Sequence, residues 1–552
     1  MKINPNEQKR LQGIIAELRS DRLPFWTLWR EVANYFLPKR YVWLQSDKET
    51  RIRNAKNPYI LDSTGTTAAR ILSSGMMNGI TSPSRPWFRL RIAGFEHEGD
   101  AVAIWADEVV RRMLFVMSES NFYNAMAVQY LDLVIFGTAA VLIYEDDETV
   151  IRCYNPALGE YYLSQNHRLS VDTFAREFKQ SVKQLCKNFG EENLSETLRA
   201  KYKAGGAQCL HLYDVTHLIE PNYEASSVPN KFKFMETYWE TNSIAQGQIL
   251  AQRGFNELPV IFPRWELTAN DSYGTSPAMD ALPDVIQLQH ETKRKAQGLD
   301  KMINPPIVAD IQLEHRPTAL MPNGITFVAG TNNVGAKPLY QINAPLQEMT
   351  EDIREIQLRI RETFHNNLFN MISQLDTVRS AAEIDARREE KLVMLGSVLD
   401  RFESEALGPA INRIYSIMDR QGMLPEPPPE IEDADIEVQY VSILSTAQSA
   451  VAAAPVERWV QMVGSLTAVA PEVAKVPDWS ELVRNYGTAI GVHARDMRSR
   501  EDVEEANQAE QEQLAAQQAG VVGKELVDGA QTLSETDVGG GANALQQLLA
   551  QG

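Results

Sequence analysis

Two long helical patterns, separated by a short link that is not helical, most constrain what this chain can fold into. The first begins at Ser276-Pro277, a capping residue followed by a proline at the first helical position, and ends before Asn304. The second begins near Pro345 and carries apolar residues three or four apart down one side. About 40 residues of short strands and turns join them. The sequence therefore predicts two long helices with a compact β-containing excursion between them.

Helical and strand-like patterns alternate in blocks along the rest of the chain. Helical spacing predicts five helices before residue 136: two within the first 40 residues, separated at Pro24, and others at 62–77, 101–117 and 122–135. From Gly137 to Leu267 the pattern becomes that of strands, with a helical insertion at 179–203. The predicted strands are 139–144, 149–154, 160–163, 209–219, 232–239 and 259–265. We expect an α+β fold that is mainly helical, with an antiparallel β-region inserted in it.

The C-terminal third begins as helix and ends in polar, glycine-containing sequence. A third long helix is predicted over 381–422, with a bend at Gly408-Pro409. A proline-rich acidic connector follows at 424–437, and then more helix to about residue 500. Residues 501–519 have the composition of a helix without an apolar stripe, whereas 520–552 have the composition of a flexible tail.

Charge is unevenly distributed over the 552 residues. The formal net charge is −19, but the first 60 residues hold 12 Lys and Arg against 6 Asp and Glu, whereas residues 419–552 hold 8 against 22. A strongly acidic protein does not generally coat nucleic acid with its outer surface. The length predicts two to four domains with substantial cores.

The usual catalytic and metal-binding motifs are missing from the sequence. Gly523-Lys524 lacks the remaining residues of a phosphate-binding loop, and His290-Glu291 has no second histidine for a zinc helix. Three cysteines form neither a CxxC pair nor a disulfide framework. No segment has the length and apolarity of a signal peptide or a membrane span. We therefore expect a protein that is not an enzyme, binds no cofactor and remains in the compartment where it is made.

A cluster of cations lies on the first long helix. Lys293, Arg294 and Lys295 are consecutive, and Lys301 follows two turns later. In a monomer such residues form a solvated face, but in a ring of copies around a channel each outward cation would become a ring of charge. A competing hypothesis rests on Asp433 and Asp435, because two carboxylates can hold Mg²⁺ in a nuclease. Their place in a proline-rich connector favours simple solvation.

Several longer motifs resemble one protein family. Four stretches carry the similarity: Leu61–Thr64 with Leu72–Phe88, Ile135–Ala140, Tyr273–Asp284, and Ala381–Lys391. They resemble the head-to-tail connecting, or portal, proteins of short-tailed bacteriophages, over about residues 5–425. The resemblance implies a ring, usually of twelve subunits, at one capsid vertex. It also implies a channel through which a separate terminase motor drives double-stranded DNA inward and from which the genome leaves.

The resemblance also implies a division of the chain into functional parts. The expected parts are a wing (1–272), a first stem helix (273–304), a clip (305–344), a second stem helix (345–365), a tunnel loop (366–380), a crown (381–500) and an acidic C-terminal helix, barrel or tail (501–552). In this scheme the stem cations and the tunnel-loop residues Asn366, Asn367 and Gln374 face DNA. Pro305, Pro306, Asn323 and Gly324 of the clip would dock a tail adaptor.

The expected partners are other copies of the chain, duplex DNA read without sequence specificity, the terminase large subunit, a tail adaptor, and the major capsid and scaffold proteins. The expected location is the virion, and the host cytoplasm during assembly. Two alternatives stay open at this point: a capsid or scaffold component without a channel, and the metal-dependent packaging nuclease.

Overall fold

The structure is a computed structural model. It describes residues 4–38, 59–92, 100–223, 229, 231–241, 248–268, 271–303, 307–308, 337–338, 345–367, 396–429, 436–440, 459–466, 476–479, 482–483, 503, 506, 508–509, 528 and 531. The chain divides into two compact units. The larger contains 1–90, 109–426 and 436–457, and the smaller contains 91–108, 427–435 and 458–552. Helices and antiparallel sheets together make the fold α+β, as the sequence predicts.

Ten α-helices run through the described ranges. They are α1 (Pro5–Phe36), α2 (Thr64–Ile80), α3 (Asp100–Glu119), α4 (Phe122–Phe136), α5 (Val182–Phe189), α6 (Glu196–Ala204), α7 (Pro277–Asp280), α8 (Leu282–Ile303), α9 (Leu346–Thr363) and α10 (Gly408–Arg420). A π-helical turn, Glu403–Leu407, leads directly into α10. The two long helices predicted from the sequence correspond to α7–α8 and α9. The bend predicted at Gly408-Pro409 lies where the π-helical turn meets α10.

The first helix contradicts one prediction. Pro24 was expected to separate two helices, but α1 continues through it for 32 residues. A proline inside a helix costs a backbone hydrogen bond. Here both halves of the helix are held by packing. Leu11 and Leu18 belong to a buried cluster with the large sheet, and Trp29 packs edge-on against Tyr273 at 5.0 Å between ring centroids. The predicted break at Pro24 is therefore wrong.

The strands form four antiparallel groups within the described residues. Their bounds are β1 (Phe88–Ile92), β2 (Val141–Asp146), β3 (Val150–Tyr154), β4 (Tyr161–Gln165), β5 (Val171–Ser181), β6 (Leu212–Pro221), β7 (Phe234–Glu240), β8 (Ala251–Phe255), β9 (Val260–Ile261), β10 (Ile307–Val308), β11 (Lys337–Pro338) and β12 (Ile436–Tyr440). The orders are β4-β5-β6-β7-β8, β3-β2-β9, β1-β12 and β10-β11. The predicted β-region is confirmed.

Two strands escaped the sequence-based prediction. They are β5, which has 11 residues and lies inside the five-stranded sheet, and β8 at its edge. Charged and amide side chains occupy much of β5, so its hydrophobic alternation is weak. Its backbone is nevertheless paired with β4 on one side and β6 on the other. Those hydrogen bonds depend on distant segments, which a local pattern does not reveal.

The smaller unit has few described residues. Its stretch 459–466 is helical, with Val463 buried and Trp459 and Met462 exposed. A search of the described helices finds none with both the length and the hydropathy to cross a lipid bilayer.

Candidate functional site

Helices α8 and α9 form an antiparallel hairpin. The chain leaves the larger unit along α8 and returns along α9, and the two helices pack on each other. Arg359 of α9 donates a hydrogen bond to the Asp284 carboxylate of α8 at 3.2 Å, which sets the register of the pair. Between the helices, Ile307 pairs with Pro338 and Val308 with Lys337 in an antiparallel ladder. The predicted helix, β-excursion and returning helix are thus present.

The two helices are fixed at their near end by the segment Leu61–Thr64. Buried Gln289 of α8 accepts hydrogen bonds from the backbone N–H groups of Leu61 and Asp62, at 2.7 and 2.8 Å. Its amide nitrogen donates to the Asp62 carbonyl oxygen at 3.0 Å. Gln357 of α9 donates to the Asp62 carboxylate at 2.8 Å. One short motif therefore bonds to both helices, and we call this region the root of the hairpin.

The Asp62 carboxylate also begins α2. Its second oxygen accepts from the Thr64 N–H at 2.7 Å, which satisfies a donor at the helix N-terminus. Gly65 in the first turn packs so closely that a Cβ there would lie 3.0 Å from Val285 of α8 and 3.1 Å from Phe36 of α1. The motif Leu61–Thr64 therefore starts one helix and positions two others.

A second contact at the root joins the motifs Ile135–Ala140 and Tyr273–Asp284. Gly137 ends α4 with a φ of +72°, and a Cβ there would lie 2.3 Å from the Gly274 carbonyl oxygen. The Thr138 hydroxyl accepts from the Gly274 N–H at 2.8 Å, and the Ser276 hydroxyl donates to the Ile135 carbonyl at 2.8 Å. Backbones can approach this closely only where side chains are absent, so both glycines are required by packing.

The predicted cap at Ser276 is confirmed. Its hydroxyl oxygen accepts from the Met279 N–H at 3.2 Å, and Pro277 opens the helix. Burial raises the pKa of Asp280 at the end of α7, and the nearby Glu266 carboxylate adds to the shift. A half-buried acid with a second acid beside it marks the place where α8 leaves the body of the larger unit.

The body of the larger unit holds the segment before α10 through buried ion pairs that the sequence did not predict. Arg264, almost fully buried, donates to Glu405 of the π-helical turn at 2.6 Å. Buried Arg413 of α10 donates to Glu257 at 2.7 Å. Burial lowers the pKa of Arg413, whereas Glu257 works against that shift. Such pairs form between segments some 150 positions apart, so no local pattern announces them.

The four predicted stem cations occupy the outer part of α8. Lys293, Arg294 and Lys301 are exposed, whereas Lys295 is half-buried. Arg294 forms an exposed ion pair with Glu291, one turn earlier, at 3.3 Å. An exposed pair of this kind contributes little to stability. The cluster is therefore a solvated surface in the single chain.

The three predicted tunnel-loop residues have different positions. Asn366 is 3% exposed, and in the orientation that its neighbours favour its amide donates to the carbonyl oxygens of Ala68 and Phe364 at 3.1 and 3.3 Å. A side chain buried in this way is not available to a duplex, so the expectation for Asn366 needs correction. Asn367 is exposed. Gln374 lies outside the described residues, as do the clip residues Pro305, Pro306, Asn323 and Gly324.

The alternative metal site falls on undescribed residues. Asp433 and Asp435 both lie there. Within the described ranges, no group of three or more His, Cys, Asp or Glu side chains is placed to hold a metal ion. The root itself contains glycines, hydroxyls and amides engaged with backbone groups.

Gln289 and Gln357 are the site residues that sequence reasoning missed. Gln289 falls on the same side of α8 as buried Val285, four residues earlier. A glutamine in a row of buried positions is a signal that it has a hydrogen-bonding partner, because burying an unpaired amide is costly. Its partner, in Leu61–Asp62, is more than 200 residues away and was not predictable.

A helical hairpin on a mixed helix and sheet body, rooted by hydrogen-bonded motifs, is the architecture of a structural connector. Comparison with known proteins gives a match over residues 8–497 to the family described as bacteriophage head to tail connecting protein. The portal protein of Salmonella phage epsilon15 is 35% identical over 539 residues, covering 96% of each chain. The probable portal protein of Bordetella phage BPP-1 is 34% identical over 493 residues, covering 88% of each. The chain belongs to the bacteriophage head to tail connecting protein family, which confirms the predicted resemblance and the function of a head–tail connector.

Proposed function

We propose that copies of this chain close into a ring, of twelve subunits by analogy with the family, at one vertex of a phage capsid. The hairpin α8–α9 would stand as the stem of each subunit, with residues 305–344 as the clip, 1–272 as the wing and 381–500 as the crown. The loop 366–380, with exposed Asn367, would face the channel. The segment 501–552 would extend beyond the crown.

The observation that carries this proposal is the apolar surface that the hairpin leaves exposed. Leu299, Met302 and Ile303 lie at positions i, i+3 and i+4 of α8 and are 38%, 40% and 69% exposed, and Leu358 of α9 is 50% exposed. Residues with this spacing share one side of a helix. A continuous apolar strip at the outer end of a hairpin is typical of a surface that another chain covers. A neighbouring subunit would cover it in a ring.

The charge of the chain supports a channel that guides DNA without holding it. A wall with many phosphate contacts would bind the duplex tightly and release it in a strongly salt-dependent way. In α8, four Lys and Arg residues face three Asp and Glu residues, and in α9 the numbers are three and five. A stem so nearly neutral would let DNA slide. The chain would be passive, and a separate terminase would hydrolyse ATP on the packaging side.

The remaining partners follow from the same model. The clip would face the terminase large subunit during packaging and a tail adaptor afterwards, and the wing would contact the major capsid and scaffold proteins. The protein would be a virion component that assembles in the host cytoplasm. These contacts involve proteins, so no cofactor is required.

The decisive experiment is the mass and shape of the assembled protein. Native mass spectrometry of the purified chain should give a single closed oligomer, and electron microscopy should show an annulus with a central hole. Solid particles, sheets or a persistent monomer in the presence of capsid partners would contradict the ring. The two alternatives make different predictions. A scaffold component gives particles without a hole, and a nuclease gives Mg²⁺- or Mn²⁺-dependent plasmid cleavage that is lost in Asp433→Ala/Asp435→Ala.

A further inference from the structure

We propose that the stems of neighbouring subunits are joined by opposite charges, with the basic side of α8 in one copy docked on the acidic side of α9 in the next. This inference rests on the proposed ring, and it assigns Lys293 and Arg294 to a contact between subunits. The occupant of the surface is a second copy of this chain.

One side of α8 is basic and exposed along the outer half of the helix. At 3.6 residues per turn, Arg294 and Lys301 point in directions about 20° apart, and His290 and Lys293 lie beside them. All four are exposed. The residues that α8 buries, such as Val285 and Leu288, lie on the other side of the helix. Lys295 points toward that other side, which agrees with its partial burial.

One side of α9 is acidic and exposed over nearly its whole length. Glu348, Glu351, Glu355 and Glu362 are spaced by three, four and seven residues, so they point within about 60° of one another. All four are exposed. Glu355 is also within 3.5 Å of Arg359 one turn later, which leaves Glu348 and Glu351 as the anionic centre of this side. The buried residues Ile353, Ile356 and Ile360 lie on the opposite side.

The two charged sides lie at the same height on the hairpin. The pair Asp284–Arg359 marks one level, and ten residues further along each antiparallel helix Arg294 is level with Met349. Glu348 and Glu351 lie one and two residues from Met349, which is within about 3 Å along the helix axis. A rotation about an axis parallel to the hairpin keeps these heights, so neighbouring copies would bring Arg294 and Lys293 opposite Glu348 and Glu351.

A second copy explains both charged sides, whereas DNA explains only the basic one. Since the buried sides of α8 and α9 face the partner helix, their charged sides point away from each other. Such a subunit is complementary to itself in the head-to-tail sense that closes a ring. A duplex against the basic side would leave the row of glutamates without an opposite charge. Complementary charges at an interface also select the register of the partner.

The test uses two charge-reversed chains. Lys293→Glu/Arg294→Glu makes both sides of the hairpin acidic, and Glu348→Lys/Glu351→Lys makes both sides basic. Native mass spectrometry should show loss of the ring for each chain alone, because like charges then meet at every interface. An equimolar mixture should recover rings with equal numbers of the two chains, since strict alternation restores an opposite-charge contact at every interface.

Two controls separate this result from misfolding and from a general effect of charge. Each variant monomer should keep the wild-type circular dichroism spectrum and unfolding midpoint. The matched variant Lys183→Glu/Lys187→Glu reverses two exposed lysines on α5, away from the stem, and should form rings like the wild type. Raising the salt concentration should loosen wild-type rings, because exposed charge pairs are screened.

The outcomes that overturn the proposal are distinct. Rings formed by both variants alone, or a mixture that stays unassembled, would show that these charges do not join subunits. If Lys293→Glu/Arg294→Glu forms normal rings but packages or retains less DNA, then the basic side faces the duplex. If the wild-type chain itself forms no ring, the proposed function fails before this inference is reached.

Discussion

The root and the outer half of the hairpin solve opposite problems with the same two helices. At the root, Gln289 and Asp62 are tied to backbone groups, and Gly137 lies against Gly274 with no room for a side chain. On the outer half, the charged residues are exposed and their contacts within the chain are few and weak. The root holds one chain together, whereas the outer half is free to meet another chain. The motifs that identify the family therefore include structural ones, and the surface proposed to join subunits lies elsewhere.

Gly137→Ala tests the root where it is tightest, and we expect the largest effect there. The new Cβ would lie 2.3 Å from a backbone oxygen, and the residue would also keep a φ of +72° that alanine disfavours. Chemical unfolding should show a loss of at least about 3 kcal/mol. Gly205→Ala is the matched control, because Gly205 has a φ of +68° but nothing within 4 Å of its Cβ position. It should lose about 1 kcal/mol; equal losses in the two variants would mean that the close contact is unimportant.

Gln289→Ala should produce the next largest effect. It leaves the buried N–H groups of Leu61 and Asp62 without their acceptor, and we expect a loss of about 2–3 kcal/mol in the free energy of unfolding. Gln297→Ala removes an exposed glutamine from the same helix and should cost less than about 0.5 kcal/mol. If the two substitutions cost the same, the hydrogen bonds at the root do not fix the hairpin.

Glu403 is an intermediate case, a partly buried charge in the π-helical turn. Burial raises its pKa to about 7 from the usual 4.5, and Asp400 adds to the shift. The folded chain thus holds this proton more tightly than the unfolded chain. The contribution of Glu403 to stability therefore falls as the pH rises from 4.5 through 7.

Glu403→Gln keeps the neutral form at every pH. It should be more stable than the wild type by about 1–2 kcal/mol at pH 8, after allowance for partial exposure, and this difference should disappear toward pH 4.5. Unfolding free energies measured across that range would check it. A difference that is constant with pH would contradict the assignment, and Glu362→Gln on the exposed side of α9 controls for loss of a carboxylate.

Arg294→Ala should have the smallest effect on the isolated subunit. Its only described partner is Glu291 at 3.3 Å, on an exposed surface, so the free energy of unfolding should change by less than about 0.5 kcal/mol. Thermal unfolding of the monomer would measure it. A loss of more than 1 kcal/mol would place the basic side of α8 in the fold of the single chain, and the contrast between root and outer half would fail.

Prediction from the sequence succeeded where the pattern was local and failed where a distant segment decided. The helices α8 and α9, their ends and the cap at Ser276 followed from helical spacing and from the prolines at 277, 305 and 306. The break at Pro24 and the absence of β5 were wrong, because packing across α1 and pairing on both sides of β5 override local propensity. Asn366 lies in a polar stretch that reads as a surface loop, yet its carbonyl partners at Ala68 and Phe364 draw it inside the fold.

Local interactions fixed in the amino-acid order alone determined the two long helices, the β-containing link between them, and the motifs by which the family is recognised. Only the tertiary structure decided which of those residues lie inward, since Gly137 meets Gly274 and Asp62 meets Gln289 across more than 100 positions of chain. It also decided that the lysines of α8 and the glutamates of α9 lie level on opposite sides of one hairpin. Helical spacing sets a direction around each axis, but the relative height of two helices is set by the contact that joins them.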